Sequence, residues 1–229
     1  AQLATEFLDS FRVLIINGPR QSGKTTLLHQ LNAASEGTYV TLDDASLRAA
    51  AHADPDVFVS DGPRPLMIDE IQRGGNDLVL AVKTAVDRHP ERGQFVLAGS
   101  TRFLSTPSLS ESLAGRAGVL EVWPFAQEEL WLPATRVPAS PFLTAAFTDP
   151  EKLRSGPVSQ LVRGDYFALI VNGGYPEPNA IRSPRARNEW YRVYVQAIVE
   201  TDIREMAQVD EPSNLGRLLR LAAASTAQE

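Results

Sequence analysis

The chain contains no cysteine. That absence excludes a disulfide framework, a thiolate zinc site, an iron–sulfur cluster and a cysteine nucleophile. Its three histidines, His29, His52 and His89, stand far apart without ligand spacing, so a histidine-built metal centre is not indicated. No apolar run approaches the ~18 residues of a membrane-spanning helix, and no basic-then-apolar N-terminus reads as a signal peptide. No membrane partner is therefore expected, and the cytoplasm is the expected compartment. Lysine is also scarce: of 22 basic side chains, only Lys24, Lys83 and Lys152 are lysines. There is no initiating Met. The far end stops inside an apolar-periodic stretch, Leu215, Leu218, Leu219 and Leu221, which reads as a helix without its partner. The sequence thus reads as truncated at both ends.

What is present suits a folded protein. The 229 residues are 43% hydrophobic, enough for the core of one sizeable domain or one and a half. The formal charge of −6 is uneven, with 12 basic against 18 acidic side chains in residues 1–150 and 10 against 10 in residues 151–229. An acidic body argues against coating a nucleic acid along its length, but leaves room for a local basic patch.

Short apolar runs alternate with amphipathic stretches. Strands are expected at Arg12–Asn17, Tyr39–Leu42, Pro65–Asp69, Gln94–Gly99 and Gly118–Val122. Helices are expected at Lys24–Ala34, around Ala45–Ala53, at Asp77–Asp87 and at Ser110–Ala114. That alternation implies an α/β fold, a parallel sheet with helices on both faces. After Pro124 the pattern changes. Half of the 16 prolines fall in residues 131–184, which reads as connector with short elements. A long helix is expected from about Ala186 to Ala207. No internal repeat or low-complexity tract occurs.

The strongest signal is Gly18-Pro19-Arg20-Gln21-Ser22-Gly23-Lys24-Thr25, which fits G-x-x-x-x-G-K-[ST]. The strand Val13-Leu14-Ile15-Ile16 enters it and the helical run Thr26-Leu27-Leu28 leaves it. Glycines let the backbone curl until its N–H groups converge on a phosphate, and the following helix N-terminus adds positive potential. Lys24 would reach the terminal phosphates, and the Thr25 hydroxyl would ligate Mg²⁺. A chance match at this composition is roughly two in a thousand, so nucleotide binding is the expectation. The binding set is Gly18 through Thr26, with Arg20 open between a phosphate contact and solvent.

The strand Leu66-Met67-Ile68 ends in Asp69-Glu70. Asp69 is placed to hold the Mg²⁺ shell, and Glu70 to orient and deprotonate the attacking water. Ser100-Thr101, after the strand at Gln94–Gly99, reads equally as a γ-phosphate contact and as a strand-end turn. Arg116 is the candidate for stabilising transition-state charge, in its own subunit or a neighbour's; a solvated surface arginine is the alternative. Asp43 and Asp44 read as helix caps ahead of Ala45–Leu47, support of the water or metal shell being the alternative.

Four segments taken together resemble one family. They are Gly18–Thr26, Ile68-Asp69-Glu70-Ile71-Gln72-Arg73, Leu97-Ala98-Gly99-Ser100, and Ser110–Arg116 followed by Trp123-Pro124-Phe125. The family is that of AAA+-type P-loop ATP-binding proteins of bacteria and archaea, which pair an ATPase core with a poorly characterised C-terminal domain. Gly173-Gly174-Tyr175-Pro176-Glu177 resembles the start of that domain. The resemblance implies a three-layer P-loop NTPase sandwich with sheet order 5-1-4-3-2, followed by a partial helical C-terminal region. It implies Walker A at Gly18–Thr25, Walker B at Asp69, a catalytic Glu70, a sensor at Ser100 and a finger-like Arg116. ATP and Mg²⁺ follow as cofactors, a homo-oligomer through Arg116 as an assembly, and DNA as a target of the missing C-terminal part. The expected domains are an ATPase core at 1–132, a connector at 133–184 and a truncated helical domain from 185–229.

In the C-terminal third, Gly173-Gly174-Tyr175-Pro176 is a turn signal. Trp190, Tyr191 and Tyr194 read as core packing, and Arg182, Arg185, Arg187 and Arg192 as a solvated helix entry. Base stacking and a phosphate track are the respective alternatives. Trp123-Pro124-Phe125 reads as packing the sheet end onto the connector. Three functions compete: an Mg²⁺-dependent ATPase, a nucleotide-occupied switch or docking module with negligible turnover, and a small-molecule kinase. No acceptor-pocket signature supports the kinase. No Asn-Lys-x-Asp motif supports a GTPase.

Overall fold

The computed structural model describes residues 1–99, 113–131, 147–148, 151, 160–198 and 213–225. The chain divides into two compact units, Ala1–Ala126 and Gln127–Glu229.

The first unit is built on five strands: β1 (Val13–Asn17), β2 (Thr38–Thr41), β3 (Leu66–Asp69), β4 (Phe95–Ala98) and β5 (Ala117–Glu121). All pairings are parallel, and the order across the sheet is β2-β3-β4-β1-β5. Read from the other edge this is 5-1-4-3-2, the order the resemblance implied. β1, β3 and β4 are buried along their whole length, which is why they read as unbroken apolar runs rather than alternating ones. Alternation survives in where the side chains go. Val13, Ile15, Leu66, Ile68, Phe95 and Leu97 face one layer; Leu14, Ile16, Met67, Val96 and Ala98 face the other.

The first layer holds α3 (Ala45–Ala53), α4 (Pro55–Ser60) and α5 (Gly75–Arg88). α5 buries Leu78, Val79, Ala81, Val82 and Val86, a helical stripe against the sheet. Asp44 caps α3 by accepting from the Ser46 and Leu47 amides at 2.7 and 3.2 Å. Asp54 caps α4 by accepting from Val57 N at 3.0 Å, with Pro55 in the first turn. The second layer holds α1 (Gln2–Ser10) and α2 (Lys24–Ala33), through Ala4, Leu28 and Leu31.

This topology puts the exits of all five strands along one edge of the sheet. β1 and β4 are neighbours whose onward connections run to opposite sides, β1 toward β2 and β4 toward β5. The crevice at such a reversal is where open parallel sheets bind ligands.

Three expectations need correcting. α1 and α4 fall where no helix was expected. Trp123 and Phe125 are 62% and 42% exposed, and the indole N–H donates to Glu121 at 3.1 Å, so they do not pack away the sheet end. The expected helix at Ser110–Ala114 lies mostly outside the described residues, and residues 113–116 form a turn.

The second unit contains α6 (Gln127–Trp131), α7 (Arg163–Asn172), α8 (Pro176–Ala180), α9 (Pro184–Ala197) and α10 (Ser213–Ala224). Gly173 ends α7 at φ 63°, and a Cβ there would stand 2.8 Å from the Tyr191 hydroxyl. That hydroxyl donates to Asn172 O at 2.7 Å. Trp190 and Tyr194 stack at 5.0 Å with Tyr175 beside them, and all three rings are half-buried, packed on one another rather than in a core. The Arg187 guanidinium donates to Pro178 O and Ile181 O at 3.1 and 2.8 Å and to the Asn172 side chain, so it holds the α7–α9 turns together.

Candidate active site

The site is assembled from the exits of β1, β2 and β3 and the start of α2. β1 delivers the chain into Gly18, whose φ is 150°. A Cβ at Gly18 would lie 2.1 Å from Val122 O at the exit of β5, so no side chain fits. Gln21 and Gly23 also take positive φ, 60° and 105°, and the loop curls back on itself. Gly23 is the N-cap of α2 and offers no side-chain acceptor to it. The first-turn amides of α2 therefore have neither intrahelical partner nor cap, the arrangement that accepts an anion.

Lys24, 7% exposed, folds over this loop and donates to Gly18 O at 2.9 Å and Pro19 O at 2.7 Å. Burial lowers its pKa, and the charges of Glu70 and Asp69 oppose that shift. The Ser22 Oγ is buried in the same loop without a hydrogen-bond partner. A buried hydroxyl left unpaired inside a ring of amides is what a phosphate oxygen would satisfy. Arg20 and Thr26 are both exposed at the surface.

Asp69 ends β3 at 3% exposure. Its Oδ2 accepts from Thr25 Oγ1 at 2.7 Å and from the Tyr39 hydroxyl at 3.3 Å, and its Oδ1 accepts from the Glu70 amide at 3.0 Å. Thr25 directs its proton at Asp69, which leaves its oxygen lone pairs to a hard cation. Oxygen donors of this kind suit Mg²⁺, which takes few protein ligands and keeps waters and phosphate oxygens. Among the described residues no cluster of three or more His, Asp or Glu forms a self-sufficient metal cage. The donor set therefore fits a cation that arrives with a phosphate.

Glu70 leaves the strand in the left-handed region, φ 55° and ψ 40°, unusual for a residue with a side chain. Its carboxylate accepts from the Gln72 amide, while Gln72 Oε1 is buried without a partner. Burial, and then the charge of Asp69, push the Tyr39 hydroxyl up to about 12, so it stays a proton donor.

The structure thus brings together Gly18 through Thr25, Asp69 and Glu70. It does not bring Arg116 to them. Arg116 precedes β5, whose first residue pairs with Val13 at the entry of β1. The sheet length separates it from the loop, about 16 Å at a rise of ~3.3 Å per residue. There its Nε and Nη2 donate to the two Asp87 oxygens at 2.6 and 3.0 Å, at the end of α5. Ser100 lies outside the described residues. Asp43 pairs with Arg73 at 2.9 Å. Two residues at the site were assigned no role from the sequence: Tyr39, which carried no signal, and Gln72, which stood in the segment Ile68–Arg73 of the resemblance. Tyr39 reaches Asp69 diagonally from the strand that pairs Thr41 with Asp69, a relation visible only once the strand order is known.

Comparison with known proteins bears on the family and the fold. The profile of the AAA domain family matches residues 10–131, and that of a domain of unknown function matches residues 163–229. Uncharacterized proteins of Mycobacterium tuberculosis and Mycobacterium bovis are each 31% identical over 168 residues, which cover 69% of this chain and 37% of theirs. The chain therefore spans little more than a third of the length of these curated relatives. A solved Walker-type ATPase of Pyrococcus abyssi superposes with a TM-score of 0.51 at 15% identity, over 89% of this chain and 74% of that one. At that identity the likeness establishes the fold.

Proposed function

The chain belongs to the AAA domain family, and from that premise we propose that it binds ATP with Mg²⁺ and hydrolyses it. The observation that carries this reading is the convergence of Lys24, Thr25, Asp69 and Glu70 at the exits of two separated strands. In this reading the loop amides and Lys24 hold the β- and γ-phosphates. Bound Mg²⁺ supplies neutralising charge on the phosphate oxygens, held by Thr25 and a shell oriented by Asp69. Glu70 takes the proton of a water that attacks the γ-phosphorus while the bond to the β-bridging oxygen breaks, releasing ADP and inorganic phosphate. Burial favours the neutral form of Lys24, and the charges of Glu70 and Asp69 oppose that shift.

The placement of Arg116 favours a second feature. In this reading the Arg116 of a lone chain sits at the far end of the sheet from its own γ-phosphate, and a neighbour's Arg116 accelerates turnover. Until then the protein is a nucleotide-loaded switch.

Glu70→Gln tests the hydrolytic role. ATP binding should persist while phosphate release falls by roughly 10²- to 10⁴-fold. If wild type and variant bind ATP equally and release phosphate equally slowly at every concentration, the protein is a switch without turnover.

A further inference from the structure

The geometry points to Tyr39 as a positioning residue that fixes the Asp69 carboxylate for the metal shell, with His29 as the rest against which its ring is set. This rests on the reading of Asp69 and Thr25 as the Mg²⁺ side of the site.

A carboxylate has about four acceptor positions and rotates freely unless donors hold it. Three donors hold Asp69. Glu70 N–H takes Oδ1 from the backbone, while the Thr25 and Tyr39 hydroxyls share Oδ2. Thr25 has to serve the cation as well, and its short side chain rides on the first turn of α2. The Tyr39 hydroxyl, which also meets the Thr41 side chain, reaches the same Asp69 oxygen from a different element, β2. A carboxylate gripped from α2 and β2 at once has its plane fixed by two elements that cannot move together by a simple side-chain rotation.

The Tyr39 ring is itself located. It lies 4.5 Å from the His29 ring at a tilt of 45°. His29 stands one helical turn after Thr25 on α2, so both project from one helix face. One face of α2 therefore carries the metal-side hydroxyl and the rest for the residue that orients the acid. Partners of this outer kind typically alter metal affinity by 10- to 100-fold when removed.

The test is Tyr39→Phe in the full chain, which keeps the ring against His29 and deletes only the hydroxyl. Binding of a fluorescent, non-hydrolysable ATP analogue is titrated in EDTA and against Mg²⁺, and the Mn²⁺ resonance spectrum of each complex is recorded. The expected result is unchanged affinity in EDTA, a Mg²⁺ half-saturation raised about tenfold, and an altered Mn²⁺ line shape. Equal Mg²⁺ dependence and equal spectra in the two proteins overturn the proposal. Loss of EDTA binding in the variant also overturns it, because the hydroxyl then serves the fold. A wild type that binds the analogue without any response to Mg²⁺ removes the underlying reading, and this proposal with it.

Discussion

Arg116 shows how far a single residue's role depends on where its strand begins. The guanidinium is committed to Asp87, whose carboxyl that bond holds below its ordinary pKa while Arg116 is pushed further up. The pair is exposed and local, so it does not lock the arginine; a stronger anion on a neighbouring chain would compete for it. Arg116→Ala should therefore leave ATP affinity of the dilute chain unchanged. It should abolish any rise in turnover per chain with protein concentration, an effect on the order of 10³- to 10⁵-fold for an arginine supplied in trans. Affinity titrations and phosphate release over a concentration series check both parts. Loss of affinity at high dilution would mean that Arg116 reaches its own site. The contiguous residues were legible in the sequence, because the loop from Gly18 through Thr25 is a single run with its own spacing. Tyr39 was not, because its partner lies 30 residues away on the adjacent strand.

At the scale of elements, all five strands were legible within a residue or two: burial on both faces demands uninterrupted apolar side chains in β1, β3 and β4, while the partly buried β2 and β5 show only short apolar runs. The helices divide differently. α2, α3 and α5 carry apolar stripes that pack onto a sheet face, and they were seen. α4 is only six residues long, too short to show a period, although Asp54 followed by Pro55 is its start signal. α7 was read as connector because prolines surround it, and its run Tyr166-Phe167-Ala168-Leu169-Ile170-Val171 has no helical alternation to find. Capping is where such elements can be tested. Hydrogen bonds, first from the Ser46 side chain and then from the Leu47 and Ser46 amides, hold the Asp44 carboxyl below its ordinary value. A carboxyl lowered by folding adds stability above its unfolded pKa of about 3.9. That contribution disappears as the pH falls through the lower, folded value. Asp44→Ala should thus melt at a lower temperature than wild type at pH 7, with the gap narrowing as pH falls below about 4. Melting curves across that range check it. A gap that widens in acid would mean that the cap works without its charge.

For the whole molecule, both units carry an acidic excess. Residues 1–126 hold 11 basic against 15 acidic side chains and residues 127–229 hold 11 against 13; at the candidate site the loop amides and Lys24 supply a local positive field, so overall sign says little about partners. The sequence placed the end of the core at residue 132, and the chain divides after Ala126. Among the described residues, the groups of the candidate site lie before that division: the loop at Gly18–Thr25, Tyr39 on β2, Asp69 at the end of β3, and Glu70 and Gln72 after it. Both faces of the sheet are also covered from within the same unit, by α3, α4 and α5 on one side and α1 and α2 on the other. A chain of about this size can bury well over half of its unfolded surface, enough for an independent core. Residues 1–126 alone should therefore unfold cooperatively. If the site is complete within them, they should bind the ATP analogue with the affinity and Mg²⁺ dependence of the full chain. Saturation at about 100 times the dissociation constant should add roughly 2.7 kcal/mol to the fragment's stability, read as a shift in its urea midpoint. A fragment that folds but fails to bind would show that residues beyond Ala126 complete the site. A fragment that does not fold would show that the second unit is needed for the core of the first.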